Sequence, residues 1–105
     1  MTKNAWLKLN ETERKEVHSF CDGYIDFLNV ARTERLANIE IIRQAEAKGF
    51  KNIEEVDSLK AGDKVYVDQK GKAVLMFVIG KENIENGLHI VGSHIDSPRL
   101  DVKAN

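Results

Sequence analysis

Residues 64–79, KVYVDQKGKAVLMFVI, are the stretch that decides the fold. The run 64–68 is rich in β-favouring residues, and 69–72, QKGK, has the composition of a hairpin turn. The return run 73–79 has no polar member, so we expect a strand that needs cover on both faces. The stretch therefore predicts a β-hairpin inside a layered domain.

Two amphipathic helices are predicted before the hairpin. Asn10 can cap the first helix and Glu13 can reach back to it in a capping box. The apolar stripe that we expect this helix to bury follows helical spacing: Val17, Phe20, Cys21, Tyr24, Ile25 and Leu28. Cys21 on that stripe is interpreted as a small buried hydrophobic residue, not a reactive thiol.

The second helix is predicted to begin after Thr33 as N-cap and to end at Gly49, which can take the left-handed conformation. Its inward-facing residues are expected to be Leu36, Ile39, Ile42 and Ala45. After the hairpin, residues 88–91 predict a further strand. The fold class is therefore α/β: two N-terminal helices followed by a β-hairpin and a further strand.

Composition restricts the classes of function. The chain has 105 residues, 42% hydrophobic and 31% charged, which is typical of one globular domain. A formal net charge of -1 predicts neither a nucleic-acid partner nor attraction to an anionic membrane. The single cysteine cannot form an internal disulfide, and no long apolar stretch is present, so we expect a cytoplasmic protein.

His94 and Asp96 form the chemically dense part of the sequence. A neutral imidazole is a common zinc ligand, and a carboxylate can accept a hydrogen bond from its second ring nitrogen and fix the tautomer. The alternative is a histidine and an aspartate in an ordinary surface turn, because this spacing is common. From spacing alone the pair remains an incomplete site, since catalytic zinc needs about three protein ligands.

The segment 92–101, GSHIDSPRLD, resembles the first metal-binding motif of the aspartyl aminopeptidase family, whose core is His-x-Asp-Ser-Pro-x-Leu. Upstream, 32–35 (RTER) opening the second helix and 60–66 (KAGDKVY) leading into the hairpin are also similar to that family. The resemblance covers essentially the whole chain and looks more like the bacterial branch than the eukaryotic one.

The resemblance implies a zinc-dependent exopeptidase that removes the N-terminal residue from a peptide substrate, with two zinc ions in each active site. His94 would be a metal ligand and Asp96 would orient its imidazole in catalysis. The resemblance also implies a homo-oligomer. Family members are several times longer, so residues 1–105 are expected to be a single incomplete domain, the N-terminal portion of a metallo-aminopeptidase, and inactive alone.

Two noncatalytic functions remain as alternatives. An N-terminal segment with an exposed apolar edge could serve as an oligomerisation or interaction fragment. The hairpin also resembles part of a small β-barrel binding module, although two helices come first and the strands are too few to close a barrel.

Overall fold

A computed structural model describes residues 3–96, 100 and 102–104. The chain divides into two compact units, Met1–Val30 and Ala31–Asn105. The first unit is helical, and the second combines a helix with a sheet. The expectation of a single incomplete domain over 1–105 stays a prediction.

The first unit contains helix α1, Ala5–Lys8, and helix α2, Glu11–Val30. The capping box at the start of α2 is confirmed: Glu13 N donates to Asn10 Oδ1 at 2.8 Å, and Asn10 N donates to Glu13 Oε2 at 2.8 Å. These two bonds satisfy backbone donors that the helix itself leaves free, which is why α2 begins here.

The apolar stripe of α2 is not buried, contrary to the expectation. Phe20 is 78% exposed and α2 has no buried residue, so the interpretation of Cys21 as buried is wrong. The neighbouring helix α1 spans only four residues, and its Trp6 ring packs against His18 and Arg14 in the first part of α2. The described part of this unit therefore offers no cover for the rest of the stripe.

The second unit begins with helix α3, Glu34–Ala47. Thr33 caps it as predicted, with Leu36 N donating to Thr33 Oγ1 at 3.2 Å. At the other end Gly49 has φ +90°, and Phe50 N donates to Ala45 O at 3.0 Å. This left-handed exit closes the last turn, as glycine at that position predicts.

The buried face of α3 differs from the prediction. Leu36 and Ile39 are 42% and 63% exposed, whereas Ala45 is buried as expected. Besides Ala45, the buried residues are Ala37, Asn38 and Glu40. Helix α3 is therefore rotated about its axis relative to the prediction. Hydrogen bonds explain this rotation, because they join polar side chains of α3 to the sheet: Asn38 donates to Asp68, and Glu46 accepts from Tyr66.

The sheet has the order β1-β2-β3, with β1 Lys51–Asn52, β2 Lys64–Gln69 and β3 Ala73–Val78. Strands β2 and β3 form the predicted antiparallel hairpin, in a register that pairs Tyr66 with Met76. Strand β1 runs parallel to β2. The α/β fold class is confirmed as helices followed by a mixed sheet.

The further strand lies elsewhere than predicted. Residues 88–91 form no strand, and Ile90 and Val91 are 80% and 100% exposed. β propensity alone does not make a strand, because each strand needs a hydrogen-bonding neighbour. The third strand is instead the two-residue β1. Because β1 is short and polar, the sequence pattern does not indicate it.

Two negative findings apply to the described residues. Their strands form an open sheet, which gives no support to the β-barrel alternative. Their helices are too short or too polar for any of them to span a lipid bilayer.

Candidate functional site

The segment that carries His94 and Asp96 follows a 3₁₀ turn at Ile84–Asn86. Asn83 caps that turn by accepting from Glu85 N at 3.3 Å, and Gly87 leaves it with φ +121°. A positive φ of this size favours glycine, so Gly87 sets the direction in which the segment departs. Residues 88–96 then continue without regular secondary structure.

His94 and Asp96 are in contact. The Nδ1 atom of His94 lies 2.5 Å from the backbone carbonyl oxygen of Asp96 and 3.5 Å from its carboxylate oxygen Oδ1. A carbonyl oxygen can only accept, so Nδ1 is the donor in this hydrogen bond. In the neutral ring the lone pair is then on Nε2, the nitrogen that a metal ion would bind.

The pair is open to solvent. The side chains of His94 and Asp96 are 75% and 79% exposed. Exposure leaves Nε2 accessible to an ion, and it also means that water screens the attraction between carboxylate and ring. The backbone carbonyl, at the shorter distance, therefore orients the ring in this structure more than the carboxylate does.

The residues present fit zinc only in part. His94 has the chemistry and accessibility of one ligand, but no group of three or more His, Cys, Asp or Glu side chains in the described residues could hold a metal ion. His18 packs on Trp6, and His89 lies in the same irregular segment as His94. Ser97, Pro98, Arg99 and Asp101 of the motif lie outside the described residues.

A groove of about 600 Å³ occurs elsewhere in the second unit. Its lining combines Lys51, Asp57, Asp63 and Lys64, and it includes no residue of 88–96. Asp63 already accepts a hydrogen bond from Lys60 N at 2.8 Å, so part of its carboxylate serves the local turn. The groove is therefore separate from the His94 segment.

Sequence reasoning missed a set of polar contacts that supports the second unit. Asp68 Oδ1 accepts from Asn38 Nδ2 at 3.0 Å and from Gly71 N at 2.9 Å, so one carboxylate joins α3 to the hairpin turn. Tyr66 donates to Glu46 at 2.7 Å, and this hydrogen bond, aided by burial, raises the pKa of Tyr66 to about 12. Hydrogen bonds of this kind between a helix and a sheet do not follow from any regular spacing of polar residues along the helix, so the sequence pattern does not predict them.

Comparison with known proteins identifies the family. The family described as aminopeptidase I zinc metalloprotease (M18) matches residues 27–105. The chain belongs to the M18 aminopeptidase family. This confirms the resemblance to the aspartyl aminopeptidases, which are the M18 family.

Bacterial M18 proteins are similar over almost the whole chain. The probable M18 family aminopeptidase 1 of Clostridium acetobutylicum is 46% identical over 98% of this chain, and that of Thermotoga neapolitana is 42% identical over 98%. The crystal structure of aminopeptidase I from Borrelia burgdorferi B31 matches 92% of the chain with a TM-score of 0.87 and 37% identity. The chain spans only 23% and 22% of these two curated M18 relatives and 24% of the crystallised chain.

Proposed function

We propose that this chain is the N-terminal part of a zinc-dependent aminopeptidase that hydrolyses the N-terminal residue from peptides. The observation that carries the proposal is the His94 geometry within an M18 sequence. The hydrogen bond from Nδ1 to the Asp96 carbonyl leaves the Nε2 lone pair facing solvent, as a metal ligand requires.

His94 is the proposed zinc ligand and Asp96 the proposed positioning residue. Asp96 holds the tautomer through its backbone carbonyl, and its carboxylate, 3.5 Å from the ring, would add negative charge beside a bound cation. Bound zinc would polarise the peptide carbonyl and activate water. We propose a site with two zinc ions, whose other ligands and general base come from the M18 sequence that this chain does not span.

Further properties of the complete protein belong to the same proposal. Its substrates are peptides with a free N-terminus, it works as a homo-oligomer, and it lies in the cytoplasm, where the free thiol of Cys21 stays reduced. The formal charge of -1 supports neither nucleic-acid binding nor membrane binding. The 105-residue chain alone is expected to be inactive.

The test uses a chimera in which this chain replaces the matching segment of the Clostridium acetobutylicum aminopeptidase. We expect zinc-dependent release of N-terminal residues from peptides, and a loss of activity of at least about 100-fold in His94→Ala, together with a lower zinc content. Asp96→Asn should lower zinc affinity or activity by about 10- to 100-fold.

His89→Ala is the matched control, because His89 lies in the same irregular segment and is exposed like His94. It should leave zinc content and activity unchanged. A chimera that retains full activity and zinc after His94→Ala would show that the assignment is wrong. Activity of the purified 105-residue chain, abolished by His94→Ala, would contradict the expected inactivity.

A further inference from the structure

The pair Asn86-Gly87 lies at the end of the 3₁₀ turn Ile84–Asn86, and the proposed function does not use it. It is the only asparagine–glycine pair in the sequence. The Cγ atom of an asparagine lies within reach of the main-chain nitrogen of the next residue, so a five-membered ring can form between them. A side chain on that next residue crowds the approach, and glycine has none. Ring closure is therefore least hindered at Asn86-Gly87.

The side chain of Asn86 is free to react. Residue 86 is exposed, and its side-chain amide makes no hydrogen bond within the part of the chain that the structure describes. The space beside Gly87 is also open, because an added Cβ would meet no atom within 4 Å. A ring formed at this position would therefore meet no steric obstacle.

Two asparagines that cap 3₁₀ turns provide a contrast. Asn83 Oδ1 accepts from Glu85 N at 3.3 Å, and Asn52 Oδ1 accepts from Glu54 N at 3.1 Å. Isoleucine follows each of these two asparagines. Its β-branched side chain is stiff and crowds the main-chain nitrogen. Both caps are therefore poor sites for ring closure.

One hydrogen bond holds the nitrogen of Gly87 in the closed turn. Gly87 N donates to Ile84 O at 3.1 Å, and this bond must open before the nitrogen can approach Asn86. The turn contains no buried residue. Exposed turns without packed side chains open at a low cost in free energy. The fold therefore slows ring closure only slightly.

We propose that Asn86 is a site of spontaneous deamidation, a covalent modification that consumes water and needs no enzyme. The deprotonated nitrogen of Gly87 attacks Cγ of Asn86. The new N–Cγ bond closes a succinimide ring, the Cγ–Nδ2 bond breaks, and Nδ2 leaves as ammonia with the proton that Gly87 has lost.

Water then opens the succinimide at either of its two carbonyl carbons. Addition at Cγ gives aspartate, and addition at the main-chain carbonyl carbon of residue 86 gives isoaspartate. In both cases the hydroxyl of water stays on the carbon that is attacked, and the nitrogen of Gly87 recovers a proton as its bond to that carbon breaks.

Isoaspartate would change the path of the chain towards His94. Its main chain runs through Cβ and Cγ, so one carbon is added directly before Gly87, whose φ is +121°. The added carbon redirects residues 88–96, which have no regular secondary structure. In the complete protein it would move His94 away from the other zinc ligands, and this last step rests on the proposed function.

Incubation of the purified 105-residue chain at neutral pH, followed by peptide mapping with mass spectrometry, measures the modification. Asn86 should deamidate at least about 10-fold faster than Asn83 or Asn52, because each of these is followed by a β-branched residue. Electron-transfer fragmentation distinguishes isoaspartate from aspartate. Asn86→Gln is the matched control, since its amide is one methylene farther from the nitrogen of Gly87, and residue 86 should then stay unmodified.

The contribution of the fold is measured by the same reaction in urea. The rate at Asn86 in the folded chain should lie within about 10-fold of the rate in urea, because folding adds only one exposed hydrogen bond at Gly87. Equal rates at Asn86, Asn83 and Asn52 overturn the proposal. Protection of Asn86 by more than about 100-fold in the folded chain also overturns it.

The chimera with the Clostridium acetobutylicum aminopeptidase separates this site from the proposed function. A chimera aged to isoaspartate should bind zinc at least about 10-fold more weakly than the Asn86→Gln chimera aged beside it. Unchanged zinc affinity in the isoaspartate form contradicts the effect on His94. Deamidation at Asn86 in a chimera without His94-dependent activity supports the modification site and contradicts the proposed function. An active chimera in which Asn86 stays intact does the reverse.

Discussion

Glu40 is a charged residue in the interior of the second unit, with an exposed fraction of only 6%. Its carboxylate accepts from Arg43 Nη2 at 2.6 Å, from Arg43 Nε at 2.7 Å and from Gln44 Nε2 at 2.9 Å. These hydrogen bonds, from Arg43 first and then Gln44, lower the pKa of Glu40 from 4.5 to about 2. Burial of the carboxylate is tolerated because all three donors come from the same helix.

Glu40→Gln should lower the free energy of unfolding at neutral pH. It should also remove part of the loss of stability that occurs as the pH falls. Because the pKa of Glu40 is lower in the folded state than in the unfolded state, its contribution is fully present above pH 4.5 and is lost as pH falls towards 2. The difference in unfolding free energy between parent and variant should therefore shrink across this window.

Urea unfolding at a series of pH values measures that difference. Glu82→Gln, which removes an exposed carboxylate from a loop, is the control and should leave the acid dependence of stability unchanged. A constant difference between parent and Glu40→Gln from pH 5 to pH 2 would contradict the role given to Glu40.

Tyr66→Phe tests the hydrogen bond between β2 and α3. Tyr66 is 5% exposed, and loss of its bond to Glu46 should cost about 1 kcal/mol at neutral pH. Since the pKa of Tyr66 is raised from 10 to about 12, its contribution is complete below pH 10 and is lost as pH rises towards 12.

Alkaline unfolding curves measure this effect. The parent should approach the stability of Tyr66→Phe between pH 10 and pH 12, and Tyr24→Phe, on the exposed face of α2, is the control. Equal stability of parent and Tyr66→Phe at pH 7 would rule out a stabilising hydrogen bond.

The hairpin turn depends on two residues with positive φ, Lys70 at 56° and Gly71 at 69°. Asparagine is preferred over lysine at such a position, so Lys70→Asn should stabilise the hairpin by about 0.5 kcal/mol. Gly71→Ala should destabilise it by about 1 kcal/mol, since alanine resists this conformation. The added Cβ would meet Arg35 at an ordinary distance of 3.6 Å, so backbone strain is the cause.

Thermal unfolding should show that Lys70→Asn is more stable than the parent and that Gly71→Ala is less stable. Gly80→Ala is the control for Gly71→Ala, because Gly80 has no positive φ and no neighbour within 4 Å of an added Cβ. A Gly71→Ala variant as stable as the parent would contradict the turn geometry.

At the scale of elements, the sequence predicts what local chemistry determines. Asn10, Thr33 and Gly49 mark helix ends correctly because a cap or a left-handed exit involves only neighbouring residues. The hairpin is predicted for the same reason. His94 and Asp96 can be named from the motif and lie in contact, but their catalytic roles depend on groups beyond the described residues.

The predictions fail where contacts between residues distant in sequence determine the structure. The rotation of α3 follows from the contacts of Asn38 and Glu46 with the sheet, which helical periodicity does not contain. Strand β1 exists because Lys51 pairs with Val65, although its own sequence is polar. Residues 88–91 have strand composition without a neighbouring strand.

At the scale of the whole molecule, each unit presents apolar surface to solvent. Phe20, Tyr24 and Ile25 on α2 are 53% to 78% exposed, and residues 75–78 on β3 are 41% to 63% exposed. Exposed clusters of this kind bind hydrophobic dyes such as anilinonaphthalene sulfonate. We therefore expect the 105-residue chain to enhance the fluorescence of this dye while retaining its helical circular dichroism.

Phe20→Glu should lower the dye fluorescence without loss of helical signal, because it places a charge in the most exposed part of the α2 stripe. Lys15→Glu, which also introduces glutamate on α2 but at an exposed polar position, is the control. Fluorescence equal to that of buffer alone would contradict the exposed surfaces.

The arrangement of α3, β1, β2 and β3 has a consequence for biosynthesis. These elements follow one another along residues 34–78, so the contacts that define the unit join segments close in sequence. Such units fold within about milliseconds to a second, whereas a ribosome adds roughly 5 to 20 residues per second. In a longer M18 protein this unit would be folded while most of the polypeptide was still being translated.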